Sequence, residues 1–399
     1  MTQAVSRPTL VLRAKRLVPA SFVEALVLST AALIISLVLF GLFVTFTFTP
    51  KGHHRHSDLP IAIDTYRLLL RGAFGTPYSW RNTFIHASPL LLTALCVAVP
   101  ARVGLIVIGG EGCVLLGGLM AALTAHLMPN SPPLMVQAGM IVVGMVAGGL
   151  WIGLVGALRQ FRGVNETISS LLLNYIALAI LNHCVEGPMR DPTSLNHPSS
   201  FPIGDANMLG NIPGSEVHWG FVYGIIACVF CWFLLDFTSQ GFAASVVGGN
   251  SRAARVAGLS IAKFTLIACF IGGACAALAG VVEVMAIHGC ANDSLAANYG
   301  YTGILVAFVA RQNPLAVIPV AILLGGVAGS GDLLQAQLGL SSASVEVFEG
   351  ILFLVILGLD TWSGRFKDLQ FTWFARPFFH LAGMFHRKPL VAAKAEGTV

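Results

Sequence analysis

Four polar side chains lie within, or directly after, stretches of sequence that are otherwise apolar: Glu111, Asn174, Asn182 and Glu283. A charged or amide side chain inside a membrane-spanning segment is costly, so each one requires a hydrogen-bonding partner, a water-lined face or a function. The chemistry open to such groups is transient hydrogen bonding to a polar solute. We therefore predict that these four residues line a translocation pathway and that none of them is catalytic.

The surroundings of Glu111 favour a break in a helix. Glycines occupy positions 109, 110 and 112, and clustered glycines permit either an interrupted helix or very close packing of two helices. Interrupted helices commonly line transport pathways. The alternative, a packing seam in which Glu111 bonds to a neighbouring helix, is equally compatible with the sequence.

The two asparagines belong to one predicted helix. Asn165 is suited to its N-cap and Glu166 to its positively polarised first turn, so the helix should begin here. Asn174 and Asn182 lie eight residues apart, close to one helical face, and we expect both amides to be buried. Glu283 lies at the outer end of another apolar window, where contact with substrate, contact with a delivery protein and a solvated loop are all open.

A polar segment between two apolar stretches, at about residues 240–262, carries a short predicted helix. Suitable caps stand at residues 250 or 251 and at residue 258, so about two helical turns fit between them. Two arginines three residues apart share one face of that helix. We predict a docking surface for another protein; the alternative is an ordinary cytoplasmic loop with the usual excess of positive charge. The residues of the predicted surface are Asn250, Ser251, Arg252, Ala254, Arg255 and Gly258.

The composition indicates a protein that crosses a membrane many times. Only 10% of the 399 residues are charged, 56% are apolar, and the mean hydropathy is +0.79. At about 20 residues per crossing, the charge-free windows predict about ten membrane-spanning helices. The fold class is therefore an all-α polytopic bundle, and an even number of spans places both termini in the cytoplasm. The windows are residues 25–50, 82–101, 112–158 (two spans), 167–185, 217–235, 264–282, 312–331 and 350–359.

The charge distribution divides the chain into three parts. Residues 1–20 form a basic cytoplasmic tail, residues 21–360 form the transmembrane domain, and residues 361–399 form a second cytoplasmic tail. Within the transmembrane domain, residues 186–218 are the main outer loop. The basic segment 51–82 disagrees with this topology. We interpret residues 59–72 as an amphipathic helix at the membrane interface, although a different assignment of the first span is also open.

Several classes of function are disfavoured by missing motifs. No lysine follows a glycine, so the chain has no phosphate-binding P-loop of the Walker type, and neither His-Glu-x-x-His nor Gly-x-Ser-x-Gly occurs. No nucleic-acid motif is visible. The eight cysteines form no recognisable framework, although pairing of Cys184 with Cys290 is open. We therefore predict a transport protein, not an enzyme, that has no metal or cofactor of its own.

Together these segments resemble the permease subunits of bacterial ABC importers in the branched-chain amino-acid and simple-sugar superfamily, and within it the nucleoside-type branch. The similarity covers about residues 83–360. Its most specific segments are Gly-Val-Asn-Glu-Thr-Ile-Ser-Ser-Leu-Leu-Leu-Asn-Tyr at 163–175, the loop at 248–258, and Arg-Gln-Asn-Pro-Leu-Ala-Val-Ile-Pro at 311–319. Ile-Gly-Gly-Glu-Gly at 108–112 departs from the family's Ile-Gly-Ala-Glu-Gly only at Gly110.

The resemblance implies a set of partners in and around the inner membrane. Residues 250–258 would be the coupling helix seated on a cytoplasmic ATP-binding subunit, which holds ATP and Mg²⁺ and performs the hydrolysis. A second, related permease and an extracytoplasmic substrate-binding lipoprotein would complete the importer. Residues 186–218 and 333–346 would face that lipoprotein. Membrane lipid surrounds the chain.

The resemblance also implies nucleosides as substrates, through the Asn-Glu and Asn-Tyr pairs at 165–166 and 174–175. Two alternatives are open. The first is a permease of the same fold for simple sugars, such as ribose or galactose, or for branched-chain amino acids. The second is an ion-driven secondary transporter, which would use Glu111 or Glu283 for coupling.

Overall fold

The structure is a computed structural model that describes residues 34–46, 59–194, 197–341 and 343–359. The predicted tails, residues 1–20 and 361–399, lie outside the described residues. The chain divides into two units: Leu39–Gly350, and Met1–Val38 together with Ile351–Val399. All contacts discussed below belong to the first unit.

The described residues form helices joined by loops, with isolated β-bridges and no β-strand in these ranges. The all-α prediction is thus confirmed. A π-helical turn, Val284–His288, continues the tenth helix. The helices are α1 (Ile34–Phe46), α2 (Leu59–Phe74), α3 (Pro77–Ala101), α4 (Gly110–Leu127), α5 (Pro133–Arg162), α6 (Glu166–Glu186), α7 (Gly220–Phe237), α8 (Ser239–Gly249), α9 (Ser251–Val256), α10 (Ile261–Glu283), α11 (Tyr299–Val309), α12 (Pro314–Gly329), α13 (Gly331–Leu338) and α14 (residues 343–359).

Seven helical segments in the described part of the chain are long and apolar enough to cross a membrane. They correspond to the charge-free windows, and the window 112–158 does hold two of them, α4 and α5, separated by residues 128–132. The predicted total of about ten spans and the cytoplasmic termini remain predictions. Residues 59–72 are helical as predicted, within α2.

Helix α10 lies at the centre of the bundle, packed along α3, α4 and α5. Glycines allow its backbone to approach its neighbours closely: a Cβ atom on Gly273 would collide with the carbonyl oxygen of Gly148 in α5, and one on Gly280 would collide with that of Val114 in α4. Such small-residue contacts are typical of helices that associate in a membrane. The centre of the bundle is therefore closely packed.

The bundle has two distinguishable ends. Helix α12 runs antiparallel to α3, with Gly325 beside Ala87 and Gly329 beside Asn82. Helices α3, α5, α7 and α11 therefore end, and α6, α10 and α12 begin, on the side that carries α8 and α9. We call this side the α9 end, and the other side the opposite end. Helix α4 begins deeper in the bundle, where Gly109 approaches Ile152 in α5.

Candidate functional site

The backbone between α3 and α4, residues 102–109, is not helical. Helix α3 ends at Ala101, Gly104 adopts a left-handed conformation with φ of +80°, and α4 begins at Gly110. Non-helical backbone leaves N–H and C=O groups that lipid cannot satisfy. The hydrogen-bond partners of these groups must therefore come from neighbouring parts of the protein. We call residues 105–109 the interrupted segment.

Side chains near the start of α6 supply the first of these partners. The hydroxyl of Thr167 donates to the carbonyl oxygen of Ile106 at 2.9 Å, and the hydroxyl of Ser170 accepts from the N–H of Ile108 at 3.0 Å. Because residues three and four apart share one face of a helix, Thr167, Ser170 and Asn174 point towards the same strip of backbone.

Asn174 makes the largest contribution. Its amide nitrogen donates to the carbonyl oxygen of Ile108 at 2.8 Å, and its amide oxygen accepts from the N–H of Gly112 at 2.9 Å. The same nitrogen lies 3.3 Å from the hydroxyl of Tyr301 in α11. Asn174 is buried as predicted, and it replaces the hydrogen bonds that the break removes. Its predicted place on a pathway remains a prediction.

Glu111 caps a second helix. One carboxylate oxygen accepts from the N–H of Asn298 at 3.1 Å, and the other accepts from the N–H of Gly300 at 2.7 Å, at the start of α11. A carboxylate in this position accepts from amides that have no partner within the helix. Its negative charge also interacts favourably with the positive end of the helix dipole. The side chain is only 5% exposed. The structure thus contains both alternatives that the sequence left open, because a break precedes Glu111 and its carboxylate bonds to a neighbouring helix.

The chain is interrupted again between α10 and α11, at residues 289–298. Gly289, with φ of +66°, ends the helical turn that follows α10, and Asn298 adopts the left-handed conformation with φ of +61°. Thr93 in α3 donates to the carbonyl oxygen of Tyr299 at 3.0 Å. The side chains of Asn298 and Tyr301 are exposed on the surface of the chain. The two interruptions therefore meet at Glu111, beside exposed polar groups.

Glu283 lies close to the end of α10 and is 1% exposed. One of its carboxylate oxygens is 3.7 Å from Nε2 of His288, and the other has no hydrogen-bond partner among the described residues. Burial of this kind contradicts a solvated loop, and contact with a delivery protein remains a prediction. A role towards substrate remains a prediction.

The expected burial of Asn182 is wrong, whereas its place on a translocation pathway remains a prediction. Asn182 is exposed, whereas Asn174 on the same helix is 3% exposed. Eight residues at 3.6 per turn leave the two side chains about 80° apart around the helix. That offset carries Asn182 away from the face of α6 that packs against the interrupted segment.

Helix α9 begins and ends where the sequence predicted. The amide oxygen of Asn250 accepts from the N–H groups of Arg252 and Ala253 at 3.0 and 3.1 Å, so Asn250 is the N-cap and Ser251 is the first helical residue. Gly258, with φ of +75°, follows the last turn.

One face of α9 is buried and the other is free. Ala254 is fully buried, whereas Arg252 and Arg255 are exposed. Val256, which the sequence did not single out, is 91% exposed. The helix therefore presents two cations and one apolar side chain at the α9 end.

The loop at residues 186–218, at the opposite end, holds two groups with shifted acidity. Burial lowers the pKa of His218 to about 4, and its Nδ1 accepts from the N–H of Gly220 at 3.1 Å. The backbone N–H and hydroxyl of Thr193 donate to Asp191 and lower the pKa of that carboxyl. Both groups lie in the loop that the sequence predicted to face outward.

The eight cysteines are free thiols, including Cys184 and Cys290, so the pairing that the sequence left open is not formed. Burial raises the pKa of the Cys290 thiol above its ordinary value.

Residues 80–358 match the sequence profile of the family described as "Branched-chain amino acid transport system / permease component". The glucose ABC transporter permease protein TsgB13 of Haloferax volcanii is 30% identical over 306 residues, which cover 74% of this chain and 80% of that protein.

Two further relatives carry nucleoside names. The guanosine ABC transporter permease protein NupP of Bacillus subtilis is 29% identical over 302 residues, covering 73% of this chain and 84% of that protein. The nucleoside ABC transporter permease protein NupB of Lactococcus lactis subsp. cremoris is 29% identical over 269 residues, covering 65% and 73%.

Proposed function

Because this chain belongs to the branched-chain amino acid transport system permease family, we propose that it forms the membrane pathway of an ATP-driven importer of nucleosides. It is an ABC transporter permease and a multi-pass protein of the inner membrane. Members of this family are permease subunits and not enzymes. The resemblance inferred from residues 163–175, 248–258 and 311–319 is thereby confirmed.

The types of ionisable residue buried in the bundle support the proposal that the substrate is uncharged. The buried ionisable residues at membrane depth include Glu111 and Glu283, and no buried Lys or Arg occurs among the described residues. A carboxylate or phosphate on the substrate would find no cationic partner among these buried groups, which is costly where water is scarce. The amino group of an amino acid would find a partner here, but its carboxylate would not. Nucleosides and sugars lack this conflict.

The exposed groups beside the two interruptions suit a nucleoside. Tyr301 offers an aromatic face and a hydroxyl, Asn298 offers an amide, and the buried Asn174 holds that hydroxyl in place. Aromatic faces stack on nucleobases, and amides and hydroxyls bond to ribose. The names of NupP and NupB favour the same substrate class. Glucose is the second candidate, favoured by the name of TsgB13.

We assign the α9 end to the cytoplasm. Basic residues near membrane spans favour the cytoplasmic side. A cytoplasmic ATP-binding subunit, carrying ATP and Mg²⁺, would bind the exposed face of α9. A second permease and an extracytoplasmic substrate-binding lipoprotein would complete the importer. The basic residues at the α9 end are Arg102, Arg159, Arg162, Arg252, Arg255, Lys263 and Arg311.

In the mechanism that follows, the ATP-binding subunit closes on ATP and displaces α9. The interrupted segment and the start of α11, joined through Glu111, then move and open the pathway on the other side. Competition for uptake of a labelled nucleoside tests the substrate assignment. Unlabelled nucleosides should compete, whereas nucleoside monophosphates, leucine and glucose should not. Competition by glucose alone would establish the second candidate instead.

A further inference from the structure

We propose that the turn at Arg102–Gly104 is the joint through which α8 and α9 move the interrupted segment, with Arg102 and Gly248 as its positioning residues. This inference rests on the proposed function, because it concerns how the partner's motion reaches the pathway.

The backbone of α8 touches the turn without intervening side chains. A Cβ atom on Gly248 would collide with the carbonyl oxygen of Arg102 and would lie 3.0 Å from the backbone nitrogen of Gly104. Gly104 itself needs its left-handed φ of +80°, which side chains other than glycine rarely adopt. Two backbones in direct contact transmit displacement, because packed protein is nearly incompressible.

An ion pair fastens the same turn to the end of α7. The guanidinium of Arg102 donates to the carboxylate of Asp236 at 2.7 Å, and both side chains are only about 30% exposed, at 29% and 31%. Between Asp236 and α8, Thr238 caps the next helix by accepting from the N–H of Gly241 at 3.1 Å. The turn at Arg102–Gly104 is therefore held by α7 through the ion pair and by α8 through backbone contact.

The other side of the turn leads directly to the pathway groups. Residues 105–109 follow Gly104 without a break, and their backbone is bonded to Thr167, Ser170 and Asn174 of α6. Glu111 comes next and holds the start of α11. A shift of α8 thus reaches α11 through the backbone of about ten residues.

Neighbouring glycines in α8 provide a matched experiment. Gly248→Ala places a methyl group against the turn, whereas a Cβ atom on Gly249 meets nothing within 4 Å. Both variants would be produced in the full chain with its partner subunits, and nucleoside uptake, co-purification of the ATP-binding subunit and ATP hydrolysis would be measured. Coupling between sites is commonly worth about 5–150-fold. We expect Gly248→Ala to lower uptake about tenfold while the complex assembles and hydrolyses ATP. Gly249→Ala should behave as the unaltered protein.

A charge exchange keeps the inference testable should Gly248→Ala fail to assemble. Arg102→Asp alone should lower uptake while ATP hydrolysis continues, and Arg102→Asp combined with Asp236→Arg should restore uptake. Equal uptake by the two glycine variants, or no loss of uptake in Arg102→Asp, would overturn the joint. If the unaltered protein takes up glucose and no nucleoside, the substrate assignment fails, and the same variants are then scored on glucose.

Discussion

The carboxylate of Glu111 accepts hydrogen bonds from the backbone N–H groups of Asn298 and Gly300, at 3.1 and 2.7 Å. The residue that opens one helix after a break thus caps another helix after a second break. Gly110 and Gly300 lie in backbone contact beside this cap. The two interrupted stretches are therefore in direct contact, and Glu111 supplies hydrogen bonds between them.

Glu111→Gln should impair both stability and uptake. The amide retains one acceptor oxygen, but its NH₂ group faces a backbone N–H that it cannot accept from. Leaving a buried donor without a partner costs about 1–3 kcal/mol. We expect a lower melting temperature of the purified protein in detergent and a loss of uptake. Glu186→Gln, which changes an exposed carboxylate, is the control and should change neither. An unaltered melting temperature in Glu111→Gln would contradict the cap.

Asn174→Asp and Asn182→Asp make the same chemical change on the same helix. At position 174 the new carboxylate cannot donate to the carbonyl oxygen of Ile108, and the two oxygens repel each other. We expect a loss of about 1–3 kcal/mol for Asn174→Asp and little change for the exposed Asn182→Asp. Denaturation of the two purified variants measures the difference. Equal losses of stability in the two variants would show that the hydrogen bonds from Asn174 to the interrupted segment do not stabilise the protein.

Arg255→Glu should abolish uptake while the protein remains in the membrane. The substitution reverses one of the two cations on the exposed face of α9, so a complementary acidic partner would be repelled. Quantitative blotting of membranes and pull-down of the ATP-binding subunit separate lost binding from lost protein. Lys263→Glu, also exposed at the α9 end, controls for the change in charge. Normal uptake by Arg255→Glu would contradict the proposal that α9 couples this chain to the ATP-binding subunit.

His218 should make the folded protein sensitive to acid. Burial lowers its pKa in the folded state to about 4, below the ordinary value of 6.5. The stabilising preference for neutral imidazole is therefore fully present above pH 6.5 and is lost as the pH falls towards 4. At pH 5 the loss of folding free energy, relative to neutral pH, amounts to about 2 kcal/mol. The melting temperature should fall between pH 7.5 and 5, and His218→Asn should reduce that fall. An equal fall in the variant would exclude His218 as the cause.

Local features were predictable from the sequence, and partners distant along the chain were not. Asn250 and Gly258 were identified because caps depend on adjacent residues only. The break before Glu111 was visible in its glycines, but its partner Asn298 lies 187 residues away. Thr167 and Ser170 could have been found, since they share helical spacing with Asn174. The burial of Asn182 was wrongly expected because a spacing of eight residues only approximately returns to the same face of a helix.

The contact of Gly248 with the Arg102 turn had no signal in the sequence. In the sequence both positions lie between predicted spans, where a glycine suggests only a turn. Close approach of two backbones depends on how α7, α8 and α3 are arranged in space.

Uptake of a labelled nucleoside, in cells with and without this gene, tests the central claim most directly. Each culture would be measured untreated, after depletion of ATP and after collapse of the proton gradient with ATP maintained. We expect uptake to require the gene, to stop when ATP is depleted and to survive loss of the gradient. Uptake that is independent of the gene would contradict the nucleoside assignment. Gene-dependent uptake that survives ATP depletion but stops with the gradient would identify an ion-driven transporter instead.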